Sequence, residues 1–199
     1  MKLIKSLAVV ALLVAPASAA LAADPGLPTT PYSGDMKLTG GPKNETLTFK
    51  LYYQPDKQRM DISMGGQSMV VITDKTAKTA TMLVPARKAY AVGPLKDEQT
   101  FIDVLRLKNA KYEVMGDEPC GAFTCVKYKA AGTSPKGGKF DGFMWFTKDH
   151  NILMKIDGTG EANGKSDKFA MVMENVKIGP IDPKVFAIPE GYTKMPGSK

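Results

Sequence analysis

Alternation of apolar and polar residues is the dominant pattern of this chain from Tyr32 onward. In the segment 46–53, Leu47, Phe49 and Leu51 alternate with threonine and lysine, which places the apolar side chains on one face of a strand. Short segments rich in Gly, Pro, Asp and Lys separate each such run from the next. The pattern therefore predicts about ten or eleven consecutive antiparallel strands that are connected by hairpin turns.

One segment departs from this two-residue period. Between residues 96 and 110, Phe101, Val104 and Leu105 have the i, i+3, i+4 spacing of an amphipathic helix, with acidic residues early and basic residues late. We expect one helix here, whose residues 97–107 act as a lid. The predicted fold class is mainly β (α+β), a strongly curved antiparallel sheet or incomplete β-barrel of about 10–11 strands with one helix as a lid.

The first 23 residues have the organisation of a secretory signal peptide. Lys2 and Lys5 precede a short apolar run that ends before Pro16, and small residues follow it. The apolar run is too short to span a bilayer, which argues against a membrane anchor. The candidate cleavage positions follow Ala19, Ala22 and Ala23.

The rest of the chain divides into a proline-rich linker at 24–32, one β domain at 33–193 and a flexible tail at 194–199. The first cysteine is Cys120, far from the candidate cleavage positions, so it cannot become the lipidated first residue of a bacterial lipoprotein. We therefore expect a protein that is exported to the periplasm and is not lipidated.

The charge pattern excludes one class of partner. The chain has 27 Lys and Arg residues against 20 Asp and Glu residues, a formal net charge of +7. The basic residues are scattered singly and no aromatic residues are interleaved with them as a stacking platform requires, so we expect no nucleic-acid partner. The same basic balance suits a peripheral contact with an anionic membrane surface.

The residue types that catalysis needs are sparse. His150 is the only histidine and falls between two predicted strands, where a solvated turn residue is expected. The chain has no nucleophile–base motif and no phosphate-binding loop. The sequence therefore predicts a protein that is not an enzyme and has no catalytic residue, cofactor or metal site.

Cys120 and Cys125 are the only cysteines, and four residues lie between them in the segment PCGAFTC. In an oxidising compartment they are expected to form a structural disulfide. A reactive or metal-binding pair is the alternative, although redox-active pairs more often have the C-x-x-C spacing.

Methionine is unusually frequent, with 12 residues in the chain. Its flexible thioether suits surfaces that accept variable apolar partners. Ordinary filling of the core is the first alternative interpretation. A copper-type site made of thioethers is a second one.

Four stretches give the chain a resemblance to the LolA/LolB superfamily of periplasmic lipoprotein-localisation proteins, and especially to its uncharacterised exported relatives. They are QRMDIS at 58–63, the hairpin segment 72–90, FIDVLRL at 101–107, and the paired late strands with their closing segment at 142–157 and 169–192. The resemblance extends over about residues 33–193. It implies an incomplete antiparallel barrel around an apolar cavity covered by helices, and it implies that Arg59 contacts the helical lid.

The pattern and the resemblance together predict a periplasmic non-catalytic binding or carrier protein. Its partner would be a lipid or an acylated protein, such as a lipoprotein, whose acyl part occupies an apolar cavity. The alternative is an envelope protein-binding or stress-sensing module that uses the same fold without lipid transfer. The residues expected to line the cavity are Phe49, Leu51, Met60, Ile62, Met64, Phe101, Leu105, Met144, Phe146, Met154 and Met171.

Overall fold

The fold is seen in a computed structural model that describes residues 21–40, 45–95, 100, 102, 105–134, 137–162 and 164–196. Within these residues, thirteen strands form a single sheet. The strands, in chain order, are β1 (Leu21–Ala22), β2 (Tyr32–Gly40), β3 (Glu45–Tyr53), β4 (Lys57–Met64), β5 (Gln67–Asp74), β6 (Thr79–Val84), β7 (Ala89–Pro94), β8 (Lys108–Cys120), β9 (Phe123–Thr133), β10 (Lys139–Thr147), β11 (Leu153–Ala162), β12 (Lys165–Ile178) and β13 (Thr193–Lys194).

The strand order is β1-β8-β9-β10-β11-β12-β2-β3-β4-β5-β6-β7-β13. All neighbouring strands are antiparallel except β13, which pairs with β7 in parallel. The two ends of this order, β1 and β13, do not pair with each other, so the curved sheet is open and does not close into a barrel. The predicted mainly β, incompletely closed antiparallel fold is therefore confirmed, with its strands corresponding to β2 to β12.

Register places the apolar residues of successive strands opposite one another on one face, which we call the inner face. Met36 in β2 lies opposite Phe49 in β3, and Leu51 in β3 lies opposite Met60 in β4. Met36, Leu51 and Met171 have no solvent exposure. The core therefore forms on the inner face, as the two-residue period dictates.

A smaller core lies on the opposite, outer face of β5, β6 and β7. Val70, Ile72 and Leu83 are buried there, and Phe186 and Tyr192 from the segment after β12 pack against them. This segment contains a short 3-10 helix at Pro183–Phe186, and another 3-10 helix, Pro85–Arg87, connects β6 to β7. The outer face is thus covered locally by the carboxyl-terminal part of the domain.

The expected contact between Arg59 and the helical lid is replaced by a contact on the outer face. Arg59 lies opposite Ile72, on the reverse side of β4 from its neighbour Met60. Its guanidinium donates to the carbonyl oxygen of Val185 at 2.7 Å and to the carboxylate of Asp61 at 2.6 Å. Alternation along β4 therefore directs this arginine to the segment after β12, away from the inner face.

The predicted helix over 96–110 is not supported. In the described part of this segment, only Ile102 and Leu105 have helical backbone, and β8 already begins at Lys108. Asn109 has a positive φ of 50°, which a helix interior does not accept, and the β8–β9 register shifts between Lys108 and Lys111. Residues from Lys108 onward pair with β9 and so cannot be helical. The hydrogen bonds of this strand pair outweigh the local helix propensity of the segment. Phe101 lies outside the described residues.

Two boundaries also differ from expectation. Leu21 and Ala22, which the pattern assigns to the signal peptide, pair with Glu113 and Tyr112 of β8. Of the candidate cleavage positions, only the one after Ala19 leaves β1 on the processed chain. Lys194, expected in a flexible tail, pairs with Tyr90 of β7 and so belongs to the sheet.

Candidate binding cavity on the inner face

A cavity of about 390 Å³ lies on the inner face, where β10, β11, β12 and β2 are neighbours. Its volume falls in the range of about 300–1,000 Å³ that is common for small-molecule sites. The apolar part of the lining consists of Leu38, Leu105, Leu107, Phe140, Met144, Ile156 and Phe169. The rest of the lining consists of Ser134, Gly138, Lys139, Gly160, Glu161, Asp167 and Lys168.

The wall of the cavity belongs to a row of apolar residues that runs across neighbouring strands. Leu38, Met144 and Ile156 of this row line the cavity, and Met171 is buried between them. Met144 lies opposite Ile156, Ile156 lies opposite Met171, and Met171 lies opposite Leu38. Each strand contributes an apolar residue to this row because its sequence alternates with period two. The wall is therefore built on paired strands, which hold its side chains more rigidly than loops do.

A pair of facing glycines shapes the cavity floor. Gly142 in β10 lies opposite Gly158 in β11. A Cβ added at Gly158 would lie 2.5 Å from the carbonyl oxygen of Asp141 and 2.9 Å from the ring of Phe140. Only glycine therefore lets the Phe140 ring lie against both backbones. A Cβ added at Gly160, which lies opposite Phe140, would meet nothing within 4 Å, so the open space begins there.

The rim of the cavity is polar and balanced in charge. Lys139 forms an ion pair with Glu161 at 3.5 Å, and Asp167 and Lys168 contribute one further charge of each sign. The rim therefore carries no strong field that would select an anionic or a cationic ligand. The contrast between an apolar interior and a polar mouth is the arrangement expected for a ligand with an apolar body.

The described residues between Thr100 and Leu107 cross the inner face and cover part of it. Ile102 is buried, and its backbone N–H donates to the side-chain oxygen of Gln58 in β4 at 3.3 Å. Leu105 and Leu107 line the cavity. This segment therefore separates the cavity from the inner face of β4.

The linker before β2 holds this covering segment from the other side. Asp24 forms an ion pair with Arg106 at 2.5 Å, and the carbonyl oxygen of Pro28 accepts a hydrogen bond from the Tyr53 hydroxyl at 2.7 Å. Burial, with a smaller contribution from the negative charge of Asp24, raises the pKa of Tyr112 to about 12. The linker is thus part of the packed structure next to the cavity.

The structure gathers most of the predicted cavity residues into the core, but only two of them line the cavity. Met144 and Leu105 do so. Met60 and Ile62 are half-buried against the core, whereas Met64 is 58% exposed at the end of β4. Those packed in the buried core without lining the cavity are Phe49, Leu51, Phe146, Met154 and Met171.

The sequence did not predict five of the apolar residues that line the cavity. Four of them lie in strands and share the inward parity that alternation predicts, whereas Leu107 lies just before β8. Nothing local in the sequence distinguished a residue beside open space from one in the packed core. The glycines at 158 and 160 were the available signal, because glycine inside a strand often marks a close backbone approach. The missed residues are Leu38, Leu107, Phe140, Ile156 and Phe169.

The two cysteines form the expected disulfide, which joins the end of β8 to β9. Cys125 is fully buried and lies opposite Thr147 of β10, on the same face of the sheet as Trp145. His150 lies half-buried in the turn between β10 and β11. Among the described residues, no three His, Cys, Asp or Glu side chains are grouped as a metal site requires.

Trp145 lies on the outer face and takes no part in the cavity. Its indole N–H donates to Glu118 at 2.7 Å, and the ammonium groups of Lys127 and Lys155 lie 5.0 and 4.4 Å from its ring centre. The hydrogen bond from Trp145, with a further one from Lys127, holds the pKa of Glu118 below its ordinary value of 4.5. This cluster ties β8, β9, β10 and β11 together on the outer face.

In the part of the chain that the structure describes, no helix has the length and apolar character needed to cross a membrane. Residues 32–163 match the family described as Domain of unknown function (DUF4412). A search of curated proteins finds none that matches.

Several solved structures are similar to this one. An uncharacterised conserved protein from Thermus thermophilus superposes with a TM-score of 0.57 and 12% identity, over 84% of this chain and 90% of that chain. A LolA superfamily protein, NE2245 from Nitrosomonas europaea, has a TM-score of 0.44 and 8% identity, over 81% of this chain and 91% of that chain. MucB, in a complex with MucA(peri), has a TM-score of 0.49 and 8% identity, over 81% of this chain and 54% of that chain. At 12% identity, the similarity to the Thermus thermophilus protein concerns the fold alone.

Proposed function

This chain belongs to the DUF4412 family, and we propose that it is a non-catalytic carrier that holds a lipid, or the acyl chain of an acylated protein, in the cavity next to β10 and β11. The observation that supports this function is the cavity itself, with Leu38, Ile156 and Phe169 in its wall and a polar rim. Burial of an apolar chain against such a wall is favourable by about 25 cal/mol per Å² of apolar surface. The wall alone can therefore supply useful affinity.

The size of the cavity and the charge of its rim restrict the class of ligand that we propose. A volume of about 390 Å³ is near the lower end of the usual range for small-molecule sites, so the cavity suits a single acyl chain better than several. The balanced rim charges of Lys139 with Glu161, and of Lys168 with Asp167, favour selection by apolar shape over selection by headgroup charge. We therefore propose that the ligand is a single acyl chain whose headgroup is positive, negative or uncharged.

The place of action proposed is the periplasm. The signal-peptide pattern of residues 1–23 supports export, and the basic balance of the chain supports a peripheral contact with an anionic membrane surface where lipid is collected or delivered. An acylated envelope protein is the proposed macromolecular partner, because its acyl chain would enter the same cavity.

The experiment that tests the carrier function fills the cavity. In Gly160→Leu the new side chain projects into the open space, because a Cβ at this position meets nothing within 4 Å. Gly93→Leu is the matched control, since Gly93 also lies in a strand, in β7, with nothing within 4 Å of its Cβ position. We expect wild type and Gly93→Leu to bind a dansyl-labelled fatty acid, and Gly160→Leu to lose roughly tenfold or more in affinity.

Native mass spectrometry of the gently purified protein is the second measurement. The carrier function predicts co-purified acyl species on wild type and on Gly93→Leu, and their loss from Gly160→Leu, while both variants keep their thermal midpoint within a few degrees. Equal uptake by both variants, or no uptake by wild type, would contradict the proposal. A stoichiometric protein in place of lipid would instead support the protein-binding module.

A further inference from the structure

A second apolar surface lies on the inner face beyond the covering segment, and it is unusually rich in exposed sulfur. Among the described residues, four of the seven exposed large hydrophobic side chains are methionines, and three of these lie in β4 to β6. Met69 is 36% exposed and Met82 is 38% exposed. Leucine or isoleucine would provide a similar apolar surface on these strands. The repeated occurrence of methionine therefore points to a chemical property of its thioether.

Register brings three methionines together around one valine. Met60 in β4 and Met82 in β6 lie opposite Val71 from its two sides. Met69 is two residues from Val71 on the same face of β5, which makes it the diagonal neighbour of both. Diagonal neighbours in a sheet have Cβ atoms about 7–8 Å apart, within reach of two long side chains. The three methionines therefore occupy neighbouring positions around Val71 on one face of the sheet, and these positions form a triangle.

The span of this triangle suits one small ion. Met60 and Met82 are two strands apart, about 9.5 Å between their backbones at the usual strand spacing. Each methionine has three rotatable side-chain bonds, so its sulfur can reach toward the neighbouring strand. The sulfur atoms can therefore reach a common centre without any change in the strands.

The surroundings determine which ion would bind. The inner-face positions of β4 to β7, all of which the structure describes, carry no charged side chain. Hard cations such as Mg²⁺ and Ca²⁺ need oxygen ligands and negative charge, which this surface does not offer. Neutral thioethers are soft ligands that select Cu(I) and the similar ion Ag(I). The two cysteines cannot compete for the ion, because they are joined in a disulfide.

We propose that Met60, Met69 and Met82 form a binding site for a soft monovalent metal ion, Cu(I) in the cell. The site is separate from the cavity next to β10 and β11, so it does not depend on the carrier function. Thioethers have no proton to lose, so binding is independent of pH across the range in which histidine or cysteine ligands titrate.

The direct test is methyl NMR of the full exported protein labelled with ¹³C at the methionine methyl groups. On titration with Ag(I), the methyl signals of Met60, Met69 and Met82 are expected to shift together and to saturate near one equivalent. Met115, a methionine that is 49% exposed on β8, is the internal control and is expected to stay in place. No shift at the three signals, or an equal shift at Met115, would overturn the site.

Leucine substitutions distinguish a thioether site from an apolar platform. Met69→Leu keeps the apolar volume with little effect on stability, and it is expected to weaken Cu(I) binding about tenfold or more in competition with a chromophoric Cu(I) chelator. Met115→Leu is the matched control and is expected to bind as wild type does. An unchanged affinity in a folded Met69→Leu protein, or an affinity that falls steeply between pH 8 and pH 5, would refute the assignment.

Discussion

Two single residues, the facing glycines Gly142 and Gly158, set the shape of the cavity. Gly142 and Gly158 let the ring of Phe140 lie against the sheet, and this leaves open space above Gly160. A side chain at Gly158 would push into the backbone of the neighbouring strand, whereas a side chain at Gly160 would not. The floor of the cavity therefore depends on the positions of glycine in β10 and β11.

This difference makes a prediction for two alanine variants of β11. Gly158→Ala is expected to lower the free energy of unfolding by about 1–3 kcal/mol, because its Cβ would lie 2.5 Å from the carbonyl oxygen of Asp141 and the backbone must move. Gly160→Ala is expected to stay near wild type or to be slightly more stable. Chemical denaturation of both variants measures the difference, and equal stabilities would show that the glycine pair is not closely packed.

The β8–β9 hairpin is the element whose end is fixed by a covalent bond. Cys120 closes β8 and pairs with Phe123, and Cys125 lies two residues further along β9. Because so few residues lie between the cysteines, the bond removes only a small loop entropy from the unfolded chain. Its main effect is therefore confined to this hairpin, whose β9 strand pairs with β10 beside it.

The contribution of the disulfide to the stability of the β8–β9 hairpin can be measured. Replacing both cysteines by serine is expected to lower the free energy of unfolding by about 2 kcal/mol. The binding of a fluorescent fatty acid should be unchanged, because neither cysteine lines the cavity. Intact mass with alkylation before and after reduction checks the bond in the wild-type protein. Equal alkylation in both conditions would contradict it.

Buried tyrosines connect the linker, the covering segment and the sheet at the scale of the whole molecule. Tyr32 in β2 is fully buried, with its ring centre 5.1 Å from that of Tyr53, which binds the linker. Burial raises the pKa of Tyr32 far above the ordinary value of 10.0, and burial raises that of Tyr112 to about 12. The folded molecule therefore holds these phenols in their neutral form.

Alkaline pH is thus expected to unfold the molecule. Because the folded-state pKa values lie above the unfolded value of 10.0, the stability linked to Tyr32 and Tyr112 is fully present below pH 10. It falls as the pH rises from 10 through about 12, the folded pKa of Tyr112. Phenolate absorbance and circular dichroism, followed together, should show late-titrating tyrosines and a coincident loss of structure.

Tyr112→Phe is the control for this transition. It removes one of the ionisable groups, so the loss of stability above pH 10 should be less steep than in wild type. If all seven tyrosines titrate together near pH 10 while the fold persists, the burial of these phenols does not control alkaline stability.

Properties that depend on neighbours along the chain were determined by the sequence alone. The two-residue period predicted the strands β2 to β12 and the inward parity of residues such as Leu51 and Met171, because side chains alternate between the faces of any strand. The proximity of Cys120 and Cys125 predicted their disulfide. These features need no knowledge of which strands pair.

Properties that depend on distant pairing were decided by the tertiary structure. Pairing of β8 with β9 replaced the end of the expected helix. Arg59 donates a hydrogen bond to the carbonyl oxygen of Val185, which is 126 residues away along the chain. The position of the cavity depends on β2 lying beside β12, and on a ring packed against glycines of two strands. Alternation tells which side chains point inward, but only long-range packing determines which of them meet another side chain and which meet open space.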